Sequence, residues 1–253
     1  MWGRAPSPVR AGCSPAGESR LPSHVRIALV AALEREVKPL IADWRFRDRE
    51  HAGRQFRFFE KNDAVLVCGG IGAEAARRAT EAVIVLYAPI VVYSVGFAGA
   101  LQPHLTVGDI VTPRRVLDAR DGSSTITAEG DGILVTIDSV AGEREKARLA
   151  ATYGALAVDL EAAPVARGSQ ARGVHFAAIK VISAEIGFAM PPLQRFVNAA
   201  GSFDTFGLMR FALPRPWLWP ALVHLARNSR RAAQSLSRYL EQKIEKPAQV
   251  EAG

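Results

Sequence analysis

One glycine-rich run constrains the fold of this 253-residue chain more than any other segment. The apolar, β-branched stretch 90–93 is typical of a strand buried on both faces, and it is followed at once by Ser94-Val95-Gly96-Phe97-Ala98-Gly99-Ala100-Leu101. Gly96 and Gly99 permit backbone conformations and close contacts that a Cβ would block. We therefore predict that the strand ends in a glycine loop against which a ligand lies. A tight turn that needs glycine only for its own geometry is the alternative.

Strand and helix patterns alternate along the chain. Short apolar stretches predict strands at 25–31, 64–68, 90–94, 109–112, 132–137, 155–159 and 175–182. Amphipathic patterns predict helices over 36–42, 73–87, 144–153 and 160–173. The alternation predicts an α/β fold with a central mixed sheet between two helical layers, and ligands at the carboxyl ends of the strands.

Composition favours one globular domain and argues against several other classes of protein. Hydrophobic residues make up 49% of the chain, enough for one substantial core. Cys13 and Cys68 provide no disulfide framework, which indicates the cytoplasm, and no apolar run reaches the roughly 18 to 20 residues that span a bilayer. The net charge of +7 comes from scattered cations without a nucleic-acid-binding motif, so we expect no nucleic-acid partner.

Three regions differ in composition. Residues 1–23 are rich in Pro, Ser, Gly and Arg and lack the apolar core of a secretory signal, so we expect a disordered extension. Residues 24–190 hold the predicted α/β domain. Residues 191–253 form an aromatic and basic extension with an amphipathic helix near 221–242. Its composition is compatible with three arrangements: contact with a membrane surface, packing on its own domain, and packing on a second subunit. Of these we favour packing on its own domain.

Three ordered blocks resemble the nucleoside phosphorylase superfamily, and most closely its methylthioadenosine/S-adenosylhomocysteine nucleosidases. They are Val30-Ala31-Ala32-Leu33-Glu34-Arg35-Glu36-Val37, the glycine run continued by Val107-Gly108-Asp109-Ile110-Val111, and Ala157-Val158-Asp159-Leu160-Glu161-Ala162. The resemblance covers roughly residues 25–187. It implies the phosphorylase/hydrolase-like fold, cleavage of the N-glycosidic bond of a purine (adenosyl-type) nucleoside, no cofactor, and a homodimer.

The resemblance also implies roles for single residues. Glu36 corresponds to the carboxylate that deprotonates the attacking water, and Glu161 to the carboxylate that binds the ribose hydroxyls. The alternative for each is an acid favoured by the dipole at the start of a helix. The remaining predicted substrate contacts are Ala32, Gly70, Gly96, Phe97, Ala98, Gly99, Leu160 and Ser183.

One block departs from the superfamily pattern. Where relatives read Ser-Asp and use the aspartate to protonate the leaving base at N7, this chain reads Ser183-Ala184-Glu185. The methyl group of Ala184 cannot donate a proton. Either Glu185 is the catalytic acid from the next position, which we take as the prediction, or the protein is a catalytically impaired nucleoside-binding relative.

The choice between water and phosphate as nucleophile rests on two positions. Ser94 lies where related phosphorylases carry an arginine, and the carboxylate of Glu36 would repel phosphate, so hydrolysis is favoured over phosphorolysis. Lys180 keeps a positive charge on the predicted strand 175–182, which leaves phosphorolysis open, unless Lys180 pairs with a carboxylate at the edge of the core. The five histidines have no paired ligand spacing, so no metal site is expected.

The extension 191–253 resembles, more loosely, the tail of the hopanoid-associated phosphorylase-like branch, whose members act on an adenosyl-lipid. This resemblance implies adenosylhopane as a substrate and a peripheral membrane contact through the extension.

Overall fold

The structure, a computed structural model, describes residues 25–127, 129–188, 193–196, 198, 201 and 203–245. The predicted extension 1–23 lies outside the described residues. The strands are β1 Ile27–Ala31, β2 Arg45–His51, β3 Arg54–Lys61, β4 Ala64–Cys68, β5 Val91–Ala100, β6 Ile110–Val111, β7 Arg115–Asp118, β8 Ser124–Ile126, β9 Ile133–Thr136, β10 Ala157–Asp159 and β11 His175–Ala184. The α-helices are α1 Glu34–Ile41, α2 Ala73–Tyr87, α3 Glu143–Tyr153, α4 Ala162–Gln170, α5 Thr205–Ala212 and α6 Trp219–Glu245, and two short 3-10 helices span Leu193–Phe196 and Pro216–Leu218.

The described strands form one mixed sheet in the order β2-β3-β4-β1-β5-β10-β9-β7-β8, with β11 paired to both β5 and β6. Strand β5 runs parallel to β1 and β11, whereas β10 joins it antiparallel. The predicted mixed sheet is therefore confirmed, and β5 lies at its centre.

Helices cover both faces of the sheet because its central strands are apolar on both sides. In β1, Ala28 and Val30 pack with α2 and α4, whereas Ile27, Leu29 and Ala31 pack with α1 and α6. This two-residue alternation is what a strand buried between two layers requires. The predicted three-layer α-β-α arrangement is confirmed.

The glycine run corrects one prediction. We expected strand β5 to stop near Ser94 and a loop to follow, but β5 continues to Ala100. Neighbouring strands hold this second half, since Lys180 of β11 lies opposite Gly96 and Val158 of β10 lies opposite Gly99. These pairings join residues far apart in sequence, and they outweigh the local tendency of glycine to end a strand.

The amino-terminal hairpin was missed from the sequence. Strands β2 and β3 pair antiparallel around Ala52 and Gly53, which both have positive φ. Strand β2 is an edge strand with mostly charged, solvent-accessible side chains, so it lacks the apolar alternation that predicts a strand. The short strands β7 and β8 were missed too.

The long carboxy-terminal helix contributes buried core residues through its second half. Ala232, Leu236 and Leu240 of α6 are buried in the core beside Leu40 of α1. In the first half, Trp219 and Val223 are exposed. None of the described helices is both long enough and apolar enough to cross a membrane.

Candidate active site

A cavity of about 1070 Å³ opens at the carboxyl ends of β1, β5, β10 and β11. This is the edge of the sheet where ligands bind in α/β folds. Helices α1, α3, α5 and α6, together with loop residues such as Ile71 and Ile137, supply the rest of its wall. Eight of the predicted site residues line it: Ala32, Glu36, Phe97, Ala98, Gly99, Leu160, Glu161 and Ser183.

Glu36 is a buried carboxylate in the first turn of α1. Its side chain is 8% exposed, whereas Glu34 in the same turn is exposed, so the alternative of a solvated first-turn acid does not describe Glu36. A Cβ built on Gly96 would lie 2.5 Å from Oε2 of Glu36, so the absence of a side chain at Gly96 is what admits the carboxylate. Burial, and secondarily the nearby charge of Glu161, raise the pKa of Glu36 from 4.5 to about 8.

Glu161 lies directly before α4, opposite the glycine turn that precedes α2. Its Oε1 accepts a hydrogen bond from the backbone N–H of Gly72 at 3.1 Å. Burial raises the pKa of Glu161 to about 7, opposed by the charge of Lys180. The backbone N–H fixes one carboxylate oxygen and leaves acceptor capacity for hydroxyl groups in the cavity.

Lys180 forms a buried ion pair beneath the two glutamates. Its Nζ lies 2.8 Å from Oδ2 of Asp159, and both side chains are fully buried. Asp159 also accepts hydrogen bonds from the Thr136 hydroxyl at 2.7 Å and from the Ala162 N–H at 2.9 Å. The pairing of Lys180 with a carboxylate at the core edge, considered from the sequence, is thus observed, and the network holds α4 and β11 together.

Three of the predicted site residues do not line the cavity. Gly96 lies beneath Glu36, and Gly70 uses its N–H to bond the carbonyl of Ala32 at 2.9 Å. Glu185 is exposed, and its Oε1 accepts from the Val107 N–H at 3.4 Å. The carboxylate of Glu185 is therefore not brought together with Glu36 and Glu161.

Lys146 is a buried, charged cavity residue that was missed from the sequence. Lys146 of α3 is 2% exposed, lines the cavity, and donates hydrogen bonds to the carbonyls of Glu185 at 2.6 Å and Ala184 at 3.5 Å. The sequence offered one weak signal, because Lys146 precedes the buried Leu149 by three residues and so shares the inward face of α3.

The cavity extends from its polar end into an apolar region. This part is bounded by α1 on one side and by α5 and α6 on the other, and Arg35 of α1 stacks over the ring of Phe203 at 4.7 Å. The apolar side chains that α5 and α6 contribute are Leu208, Met209, Ala212, Leu222, Leu225, Ala226 and Ala233. Within the described part of the chain, no group of three or more His, Cys, Asp or Glu side chains could hold a metal ion.

The chain is similar in sequence to a known superfamily. The family described as the phosphorylase superfamily matches residues 26–135. The 5′-methylthioadenosine/S-adenosylhomocysteine nucleosidase of Buchnera aphidicola (strain Tuc7) is 40% identical over 57 residues, which cover 22% of this chain and 25% of that protein. The nucleosidase of Marinomonas sp. (strain MWYL1) is 36% identical over 95 residues, or 36% of this chain and 41% of that protein. The chain thus matches well under half the length of these relatives.

Solved structures share the fold over most of the chain. Futalosine hydrolase of Helicobacter pylori superposes with a TM-score of 0.66 at 17% identity, covering 87% of this chain and 98% of that one. The methylthioadenosine/S-adenosylhomocysteine nucleosidase of Helicobacter pylori superposes with a TM-score of 0.65 at 17% identity, covering 88% and 99%. The predicted resemblance to the superfamily and the predicted fold are both confirmed.

Proposed function

We propose that this protein, which matches the phosphorylase superfamily over residues 26–135 and shares the fold of solved nucleosidases, is an N-glycosidase. Its proposed substrate is a purine nucleoside with an apolar 5′ substituent, which it hydrolyses. An adenosyl-lipid such as adenosylhopane fits this description. The observation that carries the proposal is the cavity itself, whose polar end holds Glu36 and Glu161 and whose other end is lined by α5 and α6.

The polar end has the groups that glycosidic cleavage requires. Glu161, fixed by the Gly72 N–H, accepts the ribose hydroxyls in charge-assisted hydrogen bonds. Glu36, with its pKa raised to about 8, is matched to take a proton from water near neutral pH. The two carboxylates also stabilise the positive charge that develops on the sugar as the bond breaks.

Charge at this end favours water over phosphate. Once Glu161 and Glu36 ionise, above about pH 7 and about pH 8, both carboxylates would repel a phosphate, and the charge of Lys180 is already compensated by Asp159 at 2.8 Å. Ser94 is fully buried within the sheet and does not line the cavity. Phosphorolysis remains the alternative reaction.

The apolar end supports the substrate class. The whole cavity, at about 1070 Å³, lies just above the usual range for a small ligand, roughly 300 to 1,000 Å³, and most of its lining is apolar. Met209 lines the cavity and is also exposed, so the apolar lining continues to the surface. A long 5′ substituent would extend along α5 and α6 while the ribose binds between Glu36 and Glu161.

The proposal extends to contact with a membrane surface. An apolar patch, defined as Phe206, Met209, Leu213, Trp217, Trp219 and Val223, is exposed on α5, the following 3-10 helix and the start of α6. Exposed arginines lie on the same helices, Arg210 on α5 and Arg227 on α6. Apolar side chains beside cations suit an anionic lipid surface, from which a lipid-like substrate would enter past Met209. The homodimer stays a prediction.

Adenine release tests the proposed function. We expect the purified protein to release adenine from 5′-alkylthioadenosines, with KM falling at least about 10-fold between the methyl and hexyl compounds, since each buried methylene contributes about 0.8 kcal/mol. Adenosylhopane in detergent is the long-chain member of this series. The rate should not depend on phosphate, and the sugar product should be the free 5-alkylthioribose rather than its 1-phosphate.

The variant Glu36→Gln tests the general base, because it keeps the side-chain volume and removes the carboxylate. It should lower kcat at least about 100-fold. A KM that does not change with chain length would contradict the apolar substrate class. Binding of the whole series without any adenine release would favour the impaired nucleoside-binding relative, which the alanine at position 184 keeps as the second candidate.

A further inference from the structure

Lys146 is a buried cation that lies outside the sequence motifs. It has no role in the proposed mechanism so far, in which Glu36 is the general base and Glu161 binds the ribose. It projects from α3 into the cavity wall, and its side chain is 2% exposed. Its Nζ donates to the carbonyls of Glu185 and Ala184 at 2.6 and 3.5 Å. An ammonium group has three N–H donors, so these two bonds leave at least one N–H for the cavity.

The surroundings of Lys146 differ from those of the other buried lysine. Lys180 has the carboxylate of Asp159 at 2.8 Å, whereas none of the described carboxylates forms an ion pair with Lys146. Burial without a compensating charge lowers the pKa of Lys146. A buried, unpaired ammonium is costly to keep and readily gives up a proton.

Two small residues on neighbouring strands make room for this side chain. Gly99 of β5 and Ala184 of β11 lie opposite each other in the sheet. A Cβ built on Gly99 would lie 3.2 Å from Cε and 3.6 Å from Nζ of Lys146. The ammonium group therefore lies at the carboxyl ends of both strands, beside the cavity residues Ser183 and Ala184.

Among the described residues that line this end of the cavity, no other side chain is a suitable proton donor. Glu36 and Glu161 are the base and the ribose clamp, and Glu185 is turned to the backbone of Val107. Purine departure needs a proton or a strong hydrogen bond at a ring nitrogen, because the base otherwise leaves as an anion.

We propose that Lys146 is the catalytic acid that protonates the departing purine. The proposal rests on the proposed N-glycosidase function and deepens it. As the bond from C1′ to the purine breaks, its electron pair moves into the base, and a proton moves from Nζ of Lys146 to a purine ring nitrogen. Water adds to C1′ and gives a proton to Glu36. The purine and the ribose leave as neutral molecules, and proton exchange with solvent restores Lys146 and Glu36.

The test compares two leaving groups on one sugar. Lys146→Met keeps the length of the side chain and removes its proton. With 5′-hexylthioadenosine we expect kcat to fall at least about 100-fold. With the 4-nitrophenyl riboside that carries the same 5′-hexylthio group we expect a change of less than about 3-fold, because nitrophenolate leaves without a proton. Retained activity on the second substrate also demonstrates that the variant is folded.

A second variant and a control complete the design. Lys146→Met combined with Ala184→Asp supplies a carboxylic acid from β11. We expect its kcat for adenine release to be at least about 10-fold higher than that of Lys146→Met alone. Lys61→Met makes the same chemical change at an exposed lysine and should leave both substrates unaffected. Equal losses of Lys146→Met on both substrates, or no loss on adenine, would overturn the proposal. A wild-type protein inactive on both contradicts the N-glycosidase function itself, and this proposal with it.

Discussion

At the scale of the residue, the buried carboxylate of Glu36 ties stability to pH. Its pKa rises from 4.5 to about 8 in the folded chain, so between these values the folded state binds a proton that the unfolded state has lost. The stabilisation is fully present below about pH 4.5 and is lost as the pH rises through about 8. Glu161, with a pKa of about 7, acts in the same direction.

Glu36→Gln should therefore flatten the pH dependence of the melting temperature. Glutamine resembles the protonated glutamate, so the variant and the wild type should melt together at pH 5, and the variant should melt at least about 3 °C higher at pH 9. Glu34→Gln changes an exposed glutamate of the same helical turn and serves as the control. Thermal denaturation between pH 5 and 9 measures this, and parallel curves for Glu36→Gln and wild type would contradict it.

Single residues were predictable from the sequence where a local motif carries them. Glu36 and Glu161 each lie in a short block next to a strand, so their place at a strand end followed from the chain around them. The place of Lys146 could not be predicted in this way, because its burial depends on contacts with Gly99 of β5 and Ala184 of β11, which are distant in sequence. Glu185 was chosen by its closeness in sequence to position 184, but the chain turns its carboxylate towards Val107.

At the scale of the element, the two halves of α6 have different roles. The second half supplies Leu236 and Leu240 to the core, whereas the first half forms part of the cavity wall and the apolar patch. Leu236→Ala should lower the free energy of unfolding by about 2 to 5 kcal/mol, since it leaves a cavity beside α1. Val223→Ala, at a position 50% exposed, should change it by less than about 0.5 kcal/mol. Urea denaturation followed by circular dichroism compares them, and equal effects would contradict the division of α6.

The elements were predictable where apolar pattern and sheet position agree. Strand β4 and helix α2 were predicted with the bounds that the structure has, because both bury a regular apolar pattern. Strand β2 was not, since an edge strand with charged side chains has no such pattern. The second half of β5 was predicted as a loop because of its glycines. It is a strand because β10 and β11 pair with it, and these partners cannot be read from the sequence of β5 alone.

At the scale of the whole molecule, the apolar patch predicts binding to lipid. We expect the protein to sediment with vesicles that contain phosphatidylglycerol, and less so as the salt concentration rises, because arginines contribute to the contact. Phe206→Ser with Trp217→Ser should weaken this partition at least about 10-fold, since these side chains are 77% and 71% exposed and each offers a large apolar area.

The control for lipid binding is Phe46→Ser, which removes an exposed aromatic ring from β2, outside the patch. It should leave vesicle binding unchanged. Loss of self-association in the double variant, with vesicle binding intact, would mean that the patch joins two copies of the chain instead.

The cavity also has a consequence for how the protein is made. One wall comes from α1, near residue 34, and the facing wall comes from α6, which ends at residue 245. During synthesis from the amino terminus, the sheet up to β11 has left the ribosome before α6 can pack against α1. Until α6 packs, we expect Glu36 to be more accessible to water and its pKa to lie nearer 4.5. A nascent chain that ends before α6 should therefore lack the raised pKa of Glu36.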